Sequence, residues 1–256
     1  KARTTRTVLA ELFTGAACIP CVSVDLSFER ALERYGRNEL ALLVYHIHAP
    51  TSDPYSNFSV EARSAYYGVH GAPTVLLDGL TADVGEGGGP LAPGIFAKLD
   101  PAIDAHLNTD PGAALTTVQA TRRGDAVSIT TRLTKGPSAT TVRLHTALVE
   151  ITSSYSGENG LRIQPMVVRA MQNKGAGTPL PLADDAQSWT VDLKALADDN
   201  RAYYDWYIAD LKKRANIDAS FRETRAAVDP AKLAVVAFLQ DDVTHDVLQA
   251  AYAVVK

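Results

Sequence analysis

Cys18-Ile19-Pro20-Cys21 contains the only two cysteines of the 256-residue chain, and a hydrophobic segment leads directly into it. That segment, Thr7–Phe13, has the composition of a buried strand. After the motif, apolar residues recur at helical spacing as far as Tyr35, and Gly36 is a natural helix stop. The pattern predicts a strand-to-helix turn with Cys18 at the helix N-terminus.

This placement suits thiol–disulfide exchange. The unpaired N–H groups at a helix N-terminus favour a thiolate, so Cys18 is expected to be the reactive sulfur. A second thiol at Cys21 can resolve a mixed disulfide by intramolecular attack. The redox-active group is then the Cys18–Cys21 disulfide itself, and no other cofactor and no metal is expected.

Two other roles are open for the cysteine pair. A structural zinc site needs four ligands, and His46 and His48 complete a two-Cys, two-His set only if both point to the same side of their strand. A purely structural disulfide is the stronger alternative. A bridge that closes so short a loop stabilises a fold little, however, and this favours a chemical role.

Composition and charge exclude several classes of function. The chain has 25 Lys and Arg residues against 29 Asp and Glu residues, a net charge of −4, and it lacks a basic tract. These features argue against nucleic-acid binding. No apolar run approaches the roughly 20 residues of a membrane-spanning helix. The length suits one large domain or two ordinary ones.

The first half of the chain alternates strands and helices. The predicted elements after the first helix are strands at Leu40–His48, 73–77 and 80–84 and helices at Ser59–Tyr67 and 95–107. Asp78-Gly79 is a hairpin signal between the last two strands. Asp100-Pro101 is expected to interrupt the final helix.

Together with this order, Cys18-Ile19-Pro20-Cys21 and the strand start Gly71-Ala72-Pro73-Thr74 resemble the thioredoxin superfamily over about residues 5 to 109. The resemblance implies that Cys18 is the exposed attacking thiolate and that Cys21 is the more buried resolving thiol.

The resemblance also implies how a substrate is held. Ala72–Pro73 is expected to be a cis peptide that faces the cysteines. A cis proline turns the backbone of Ala72 towards the substrate, which can then pair with it as an added strand. Substrate contacts are expected at Ala72, Ile19 and Pro20.

The chain departs from ordinary thioredoxins around the motif. Ala17 precedes the first cysteine, where the family usually has an aromatic residue, and Leu12 occupies the usual position of a buried carboxylate. Glu11 is one residue earlier, and an extra residue in the turn would place it under the site as a proton acceptor for Cys21. The alternative is an edge-facing carboxylate with no role.

A narrower resemblance concerns the cellular location. The segments Glu11–Gly15, Asp53–Asn57, 61–63 and 66–69 are similar to bacterial exported thioredoxin-like proteins in which an all-β domain follows the redox domain. This implies a periplasmic, secreted or outer-membrane-associated protein. Its partners would be protein thiol or disulfide substrates and a redox partner.

The second half changes to short alternating strands. The breaker cluster Asn108–Gly112 predicts a boundary between a domain of residues 1–111 and one of residues 112–256. Strands are predicted at 114–120, 127–133, 142–151, 166–171, 189–193, 233–239 and 247–255, as in a β-sandwich. One helical insertion has Tyr203, Trp206, Tyr207 and Leu211 on one face, a stripe typical of core packing.

The sequence thus predicts an α/β thioredoxin-like domain followed by a mainly-β sandwich domain that carries no chemistry of its own. The predicted function is thiol–disulfide oxidoreductase, with Cys18, Cys21, Pro73 and Glu11 at the site. The alternative is a non-catalytic envelope binding or scaffold protein that retains a thioredoxin fold.

Overall fold

The computed structural model describes residues 5–111, 114–136 and 141–256. Over these residues the fold is mixed α/β and mainly β, with two sheets and four α-helices. The helices are α1 (Val22–Arg34), α2 (Phe58–Tyr67), α3 (Ala92–Leu107) and α4 (Leu193–Ala215). The strands are β1 (Val8–Thr14), β2 (Leu40–His46), β3 (Thr74–Leu77), β4 (Leu80–Thr81), β5 (Ala114–Arg123), β6 (Ala126–Lys135), β7 (Val142–Ser154), β8 (Ile163–Met171), β9 (Thr178–Pro179), β10 (Ala186–Asp192), β11 (Leu233–Asp241) and β12 (Val247–Val254).

The larger sheet has nine strands and crosses from the first half of the chain to the second. Its order is β12-β11-β7-β8-β2-β1-β3-β4, with β9 beside β7. β1 and β2 are parallel from Val8↔Leu40 to Thr14↔His46. β8 joins the other side of β2, also in parallel, at Val44↔Val167. Because β1 and β2 are buried along their whole length, their sequences are almost continuously apolar.

The predicted order of elements in the first half is present, with one difference in α3. This helix is continuous through Pro101, where the sequence predicts an interruption. Ile95, Leu99 and Ile103 are buried at helical spacing on both sides of the proline. Their packing holds the two halves of the helix together although Pro101 lacks an N–H group.

All seven strands predicted in the second half are present, but they do not form a self-contained sandwich. β7, β8, β11 and β12 belong to the nine-stranded sheet, whereas β5, β6 and β10 form the three-stranded sheet. Ile129 of the small sheet shares a hydrophobic cluster with Leu148 and Val235 of the large one. Two β layers therefore face each other, but one of them continues through β8 into the first half. Hydrophobic periodicity identifies a strand and not its partner, so the sequence pattern misses this connection.

The predicted domain boundary follows α3. Residues 112 and 113 lie outside the described residues, and the division into 1–111 and 112–256 stays a prediction. The pairing of β2 with β8 connects strands on either side of it.

The last strand, β12, closes against the start of the chain. The backbone N–H of Thr7 donates to Gln249 Oε1 at 2.7 Å, and Arg6 Nη2 donates to the carbonyl of Val247 at 2.7 Å. The backbone N–H of Val247 donates to the carbonyl of Asp78, which follows β3. β12 therefore contacts the chain just before β1 and just after β3.

The helical insertion predicted in the second half is α4. Asp192 caps its N-terminus by accepting two backbone N–H groups of the first turn. Tyr203 and Tyr207 are buried, as expected for a core-packing stripe, whereas Trp206 is 43% exposed. Within the described ranges, neither α4 nor any other helix is both long and apolar enough to cross a membrane.

Candidate active site

The turn between β1 and α1 carries both cysteines. The backbone N–H of Cys18 donates to the carbonyl of Gly15 at 2.9 Å, and that of Cys21 donates to the carbonyl of Cys18 at 3.3 Å. α1 begins at Val22 with Cys21 as its N-cap, so Cys18 lies three residues before the cap and not at the helix N-terminus itself. Gly15 is needed because a Cβ there would lie 2.5 Å from the carbonyl oxygen of Ala49.

Cys18 and Cys21 form a disulfide, with their Cα atoms 5.3 Å apart. Cys18 is 4% exposed and Cys21 is 0% exposed, which is the expected order of accessibility although both residues are buried. Between them, Ile19 is 63% exposed and Pro20 is also exposed. Because the two sulfurs are bonded to each other, the alternative two-Cys, two-His zinc site has no thiolate ligands in this state.

The loop before β3 lies against the disulfide. The Ala72–Pro73 peptide bond is cis, as the sequence resemblance implies. The carbonyl oxygen of Ala72 lies 3.7 Å from Cys18 Sγ. The end of β1 and the start of β3 are aligned in the sheet, which explains how the chain brings the cysteines and Pro73 to one place.

A glycine-rich segment, 85–89, is hydrogen-bonded to the cysteine turn. The N–H of Gly87 donates to the carbonyl of Pro20 at 2.8 Å, and the carbonyl of Gly87 accepts from the N–H of Ser23 at 3.0 Å. Gly87 has a φ of +147°, a backbone conformation that residues with a Cβ rarely adopt. These two hydrogen bonds fix the backbone between the exposed tip of the turn and α1.

Glu11 has other partners than the cysteines. Its carboxylate accepts hydrogen bonds from Arg63 of α2 at 2.8 and 2.9 Å, and from two tyrosine hydroxyls. Thr14, three residues further along β1, hydrogen-bonds to α1 instead. Side chains three apart on a strand point to opposite faces. The structure therefore corrects the expectation of a proton acceptor for Cys21 at Glu11, because this residue anchors α2 to β1.

A buried polar pair supports the cysteine turn from below. Asp53, which is 2% exposed, accepts the backbone N–H of Ala16 at 2.6 Å through Oδ2. Its other oxygen accepts the N–H of Tyr55 at 2.9 Å, and His46 Nδ1 lies 3.1 Å from Oδ2. Burial acts to raise the pKa of Asp53, but the charge of His46 and these hydrogen bonds outweigh it and hold the pKa below its usual value. Asp53 thus fixes the chain two residues before Cys18.

His48 contacts the second half of the chain. Its ring stacks on Tyr207 with the ring centroids 3.7 Å apart, and Nε2 lies 2.7 Å from the hydroxyl of Tyr203. Burial lowers the pKa of His48 to about 4, so the ring is neutral at neutral pH. His46 and His48 therefore have separate partners. In the part of the chain that the structure describes, no group of three or more His, Cys, Asp or Glu side chains is arranged to hold a metal ion.

Comparison by sequence gives no match. No protein-family model fits the chain, and no curated protein matches it. Comparison by structure finds similar folds. The fold resembles that of HBP35 from Porphyromonas gingivalis. The two chains are 14% identical, the match covers 100% of this chain and 77% of HBP35, and the TM-score is 0.64.

Two other solved structures match with lower TM-scores than HBP35. A protein from Agrobacterium tumefaciens is 16% identical, with 99% of this chain and 96% of that one covered and a TM-score of 0.46. A domain of the outer membrane lipoprotein Omp28 from Porphyromonas gingivalis is 11% identical. The match covers 57% of this chain and 88% of that one, with a TM-score of 0.30. At 14% identity, the similarity to HBP35 shows only that the two chains share a fold.

Two acidic residues at this site are not singled out by the sequence pattern. Asp25 is 6% exposed and lies on α1, four residues after Cys21. That spacing was available in the sequence, because residues four apart share a helix face. Asp53 gave no such signal, since an Asp-Pro pair is typical of an exposed turn.

Proposed function

We propose that the protein is a thiol–disulfide oxidoreductase of the thioredoxin type that acts on protein thiols or disulfides outside the cytoplasm. The observation that supports this best is the carbonyl oxygen of Ala72, 3.7 Å from Cys18 Sγ and beside the Cys18–Cys21 disulfide. A substrate strand that pairs with the backbone at Ala72 brings its own sulfur to Cys18. The exposed side chains of Ile19 and Pro20 offer the adjoining contact surface.

The proposed reaction has two exchange steps. In the reducing direction the Cys18 thiolate attacks one sulfur of a substrate disulfide, forms a mixed disulfide and releases the other sulfur as a thiolate. Cys21 then attacks Cys18, closes the Cys18–Cys21 bond and releases the second substrate sulfur. The substrate gains two electrons and the protein loses them, and a partner dithiol returns the protein to its reduced form. The oxidising direction is the reverse of these steps.

The proposal assigns different tasks to the two halves of the chain. Residues 5–111 supply the chemistry as a thioredoxin-like unit, and the β-rich remainder positions that unit relative to its partners. The resemblance to exported thioredoxin-like proteins supports a periplasmic, secreted or outer-membrane-associated location.

One observation favours a second candidate function. Cys18 is only 4% exposed, whereas an attacking thiolate needs access to its substrate. A non-catalytic envelope binding or scaffold protein would retain the same fold with a structural disulfide.

Reduction of insulin by dithiothreitol separates these two functions. We expect the protein to accelerate the reaction, Cys18→Ser to lower it to the uncatalysed rate, and Cys21→Ser to accumulate a mixed disulfide with the substrate. His70→Gln is the matched control, because His70 is exposed just before the Ala72–Pro73 loop and takes no part in the proposed exchange steps. No acceleration by the wild type, or full activity of Cys18→Ser, would favour the scaffold. Equilibration with glutathione then gives the redox potential, which decides between reductant and oxidant.

A further inference from the structure

α1 places a carboxyl group one helical turn beyond Cys21. The backbone N–H of Asp25 donates to the carbonyl of Cys21 at 2.9 Å, the ordinary helical bond between residues four apart. Side chains at this spacing are neighbours on the helix surface, with Cβ atoms about 5–6 Å apart. Cys21 is 0% exposed and Asp25 is 6% exposed, so both side chains face the protein interior.

β1 holds the same carboxyl group from the other side. Thr14 Oγ1 donates to Asp25 Oδ2 at 3.1 Å. Thr14 is the last residue of β1, and the cysteine turn begins immediately after it. Asp25 is therefore fixed between the helix that follows Cys21 and the strand that leads to Cys18.

Three other ionisable groups influence Asp25. His46 of β2 is aligned with Thr14 in the sheet, Asp53 follows β2, and Glu29 lies one turn further along α1. Burial has the largest effect and raises the pKa of Asp25 to about 7, while the charge of His46 opposes the increase and the two carboxylates add to it. Both protonation states are therefore populated near neutral pH, as proton transfer requires.

The neighbouring carboxylates are less suited to exchange a proton with Cys21. Glu11 lies on the opposite face of β1 and is bound to Arg63. Asp53 is committed to the N–H of Ala16, and its pKa is lowered. Glu29 is half-buried and lies two helical turns from Cys21.

We propose that Asp25 is the proton acceptor for Cys21. This rests on the proposed thiol–disulfide exchange and adds the fate of one proton to it. As Cys21 Sγ attacks Cys18 Sγ in the mixed disulfide, the S–H proton passes to the Asp25 carboxylate, directly or through one water molecule. The Cys18–Cys21 bond forms, the bond from Cys18 to the substrate breaks, and the substrate sulfur leaves with the electron pair as a thiolate. In the opposite direction Asp25 returns the proton to Cys21.

Reaction of the reduced full-length protein with 5,5′-dithiobis(2-nitrobenzoate) resolves the two exchange steps. Attack by Cys18 releases one coloured thiolate, and attack by Cys21 on the resulting mixed disulfide releases the second. Stopped-flow absorbance gives both rates on either side of neutral pH. Asp25→Asn keeps the size of the side chain and an acceptor for Thr14 but cannot take up a proton. Glu29→Gln is the matched control, a neutralised carboxylate one turn further along the same helix.

We expect Asp25→Asn to slow the second release at least about tenfold relative to the first at neutral pH, since general-base assistance contributes about a hundredfold or more. Glu29→Gln is expected to keep the wild-type ratio of the second release rate to the first. Asp25→Glu is expected to have a ratio between those of Asp25→Asn and the wild type. The wild-type profile is a test that needs no variant, because the second release should change near the Asp25 pKa of about 7.

Three results would overturn the proposal. The first is an equal ratio of release rates in the wild type and Asp25→Asn, which leaves thiol exchange intact and removes only the role of Asp25. The second is a slow second release in His46→Gln with a normal one in Asp25→Asn, which assigns the proton to the imidazole. The third is no release from the wild type at all, which removes the proposed function together with this inference.

Discussion

Asp25 also makes the stability of the fold depend on pH. Because burial raises its pKa from 3.8 to about 7, the folded protein binds this proton more tightly than the unfolded chain. The stabilisation is complete below the unfolded pKa and is lost as the pH rises through the folded pKa. As the pH rises from about 5 to 7, the free energy of unfolding is expected to fall by roughly 2 kcal/mol through the titration of Asp25, because one pKa unit corresponds to about 1.4 kcal/mol.

Urea unfolding of the wild type and Asp25→Asn across this pH range measures the contribution. The Asn side chain does not titrate, so the variant should lose less stability than the wild type as the pH rises. Asp205→Asn is the control, since Asp205 is exposed on α4 and its removal should leave the wild-type dependence unchanged. Parallel curves for the wild type and Asp25→Asn would contradict the effect of burial.

At the level of single residues, the sequence predicted the chemistry of a rare residue type, cysteine. It did not predict the direction in which a buried polar side chain points. The chain has two cysteines, so the positions of Cys18 and Cys21 limit their chemistry strongly. Glu11 failed as a prediction because a continuously apolar strand such as β1 is buried on both faces, and its sequence does not tell which face a polar residue takes. The role of Asp25 was missed because an acidic residue in a helix is ordinarily solvated.

Among the elements, α2 depends on a single side chain for its start. Asn57 Oδ1 accepts the N–H groups of Ser59 and Val60 at 3.0 and 3.2 Å, and its Nδ2 donates to the carbonyl of Val168 in β8 at 3.0 Å. Asn57→Ala removes the helix cap, the bond to β8 and a further bond from Nδ2 to the carbonyl of Tyr55 at 3.2 Å. We expect a loss of about 2 kcal/mol in the free energy of unfolding, about half of it from the cap and half from the Nδ2 bonds.

Asn57→Ser separates the two contributions. Serine caps a helix about as well as asparagine, but its hydroxyl is too short to replace the bond to Val168. Denaturant unfolding should place this variant midway between the wild type and Asn57→Ala. If both variants lose the same stability, the cap contributes nothing and the Nδ2 bonds to Val168 and Tyr55 account for the whole effect.

The interiors of the elements were predictable from periodicity, whereas their ends depend on hydrogen bonds that the pattern does not contain. Gly68 ends α2, with a φ of +64° that glycine adopts freely. β4 is shorter than the predicted strand at 80–84, because it pairs with β3 only at Leu76↔Thr81 and Leu77↔Leu80.

For the whole molecule, the pairing of β2 with β8 predicts the behaviour of a fragment. A chain of residues 1–111 alone would leave one edge of β2 unpaired, and every residue of that strand is buried in the full chain. An exposed apolar edge favours association with other chains. We therefore expect the fragment to aggregate or to lack a cooperative unfolding transition, as measured by size-exclusion chromatography and near-ultraviolet circular dichroism.

Co-expression with residues 112–256 is the control for this experiment. The second fragment supplies β8, so the two together should give a soluble complex with the unfolding transition of the intact chain. A monomeric, cooperatively folded fragment of residues 1–111 would instead show that β2 does not need its neighbour.

The arrangement of the sheet is the part of the fold that the sequence predicted least. Its strands were found by alternation, but the parallel contact at Val44↔Val167 joins residues far apart in sequence that carry no shared signal. A sandwich of consecutive strands was the simplest arrangement of the same pattern. The physical difference lies in β2, whose apolar side chains and free edge require a further strand.

The closure of β12 against the start of the chain has a consequence for how the protein is made. Thr7 and its partner Gln249 are 242 residues apart in sequence. A contact between such distant residues forms late, because the intervening chain must first lose much of its freedom. During synthesis the ribosome adds Gln249 long after β2 and β3, the two neighbours of β1 in the sheet, so the hydrogen bond at Thr7 is made after both edges of β1 can be paired. A nascent chain that stops short of Gln249 therefore lacks this contact, although β1, β2 and β3 are already present.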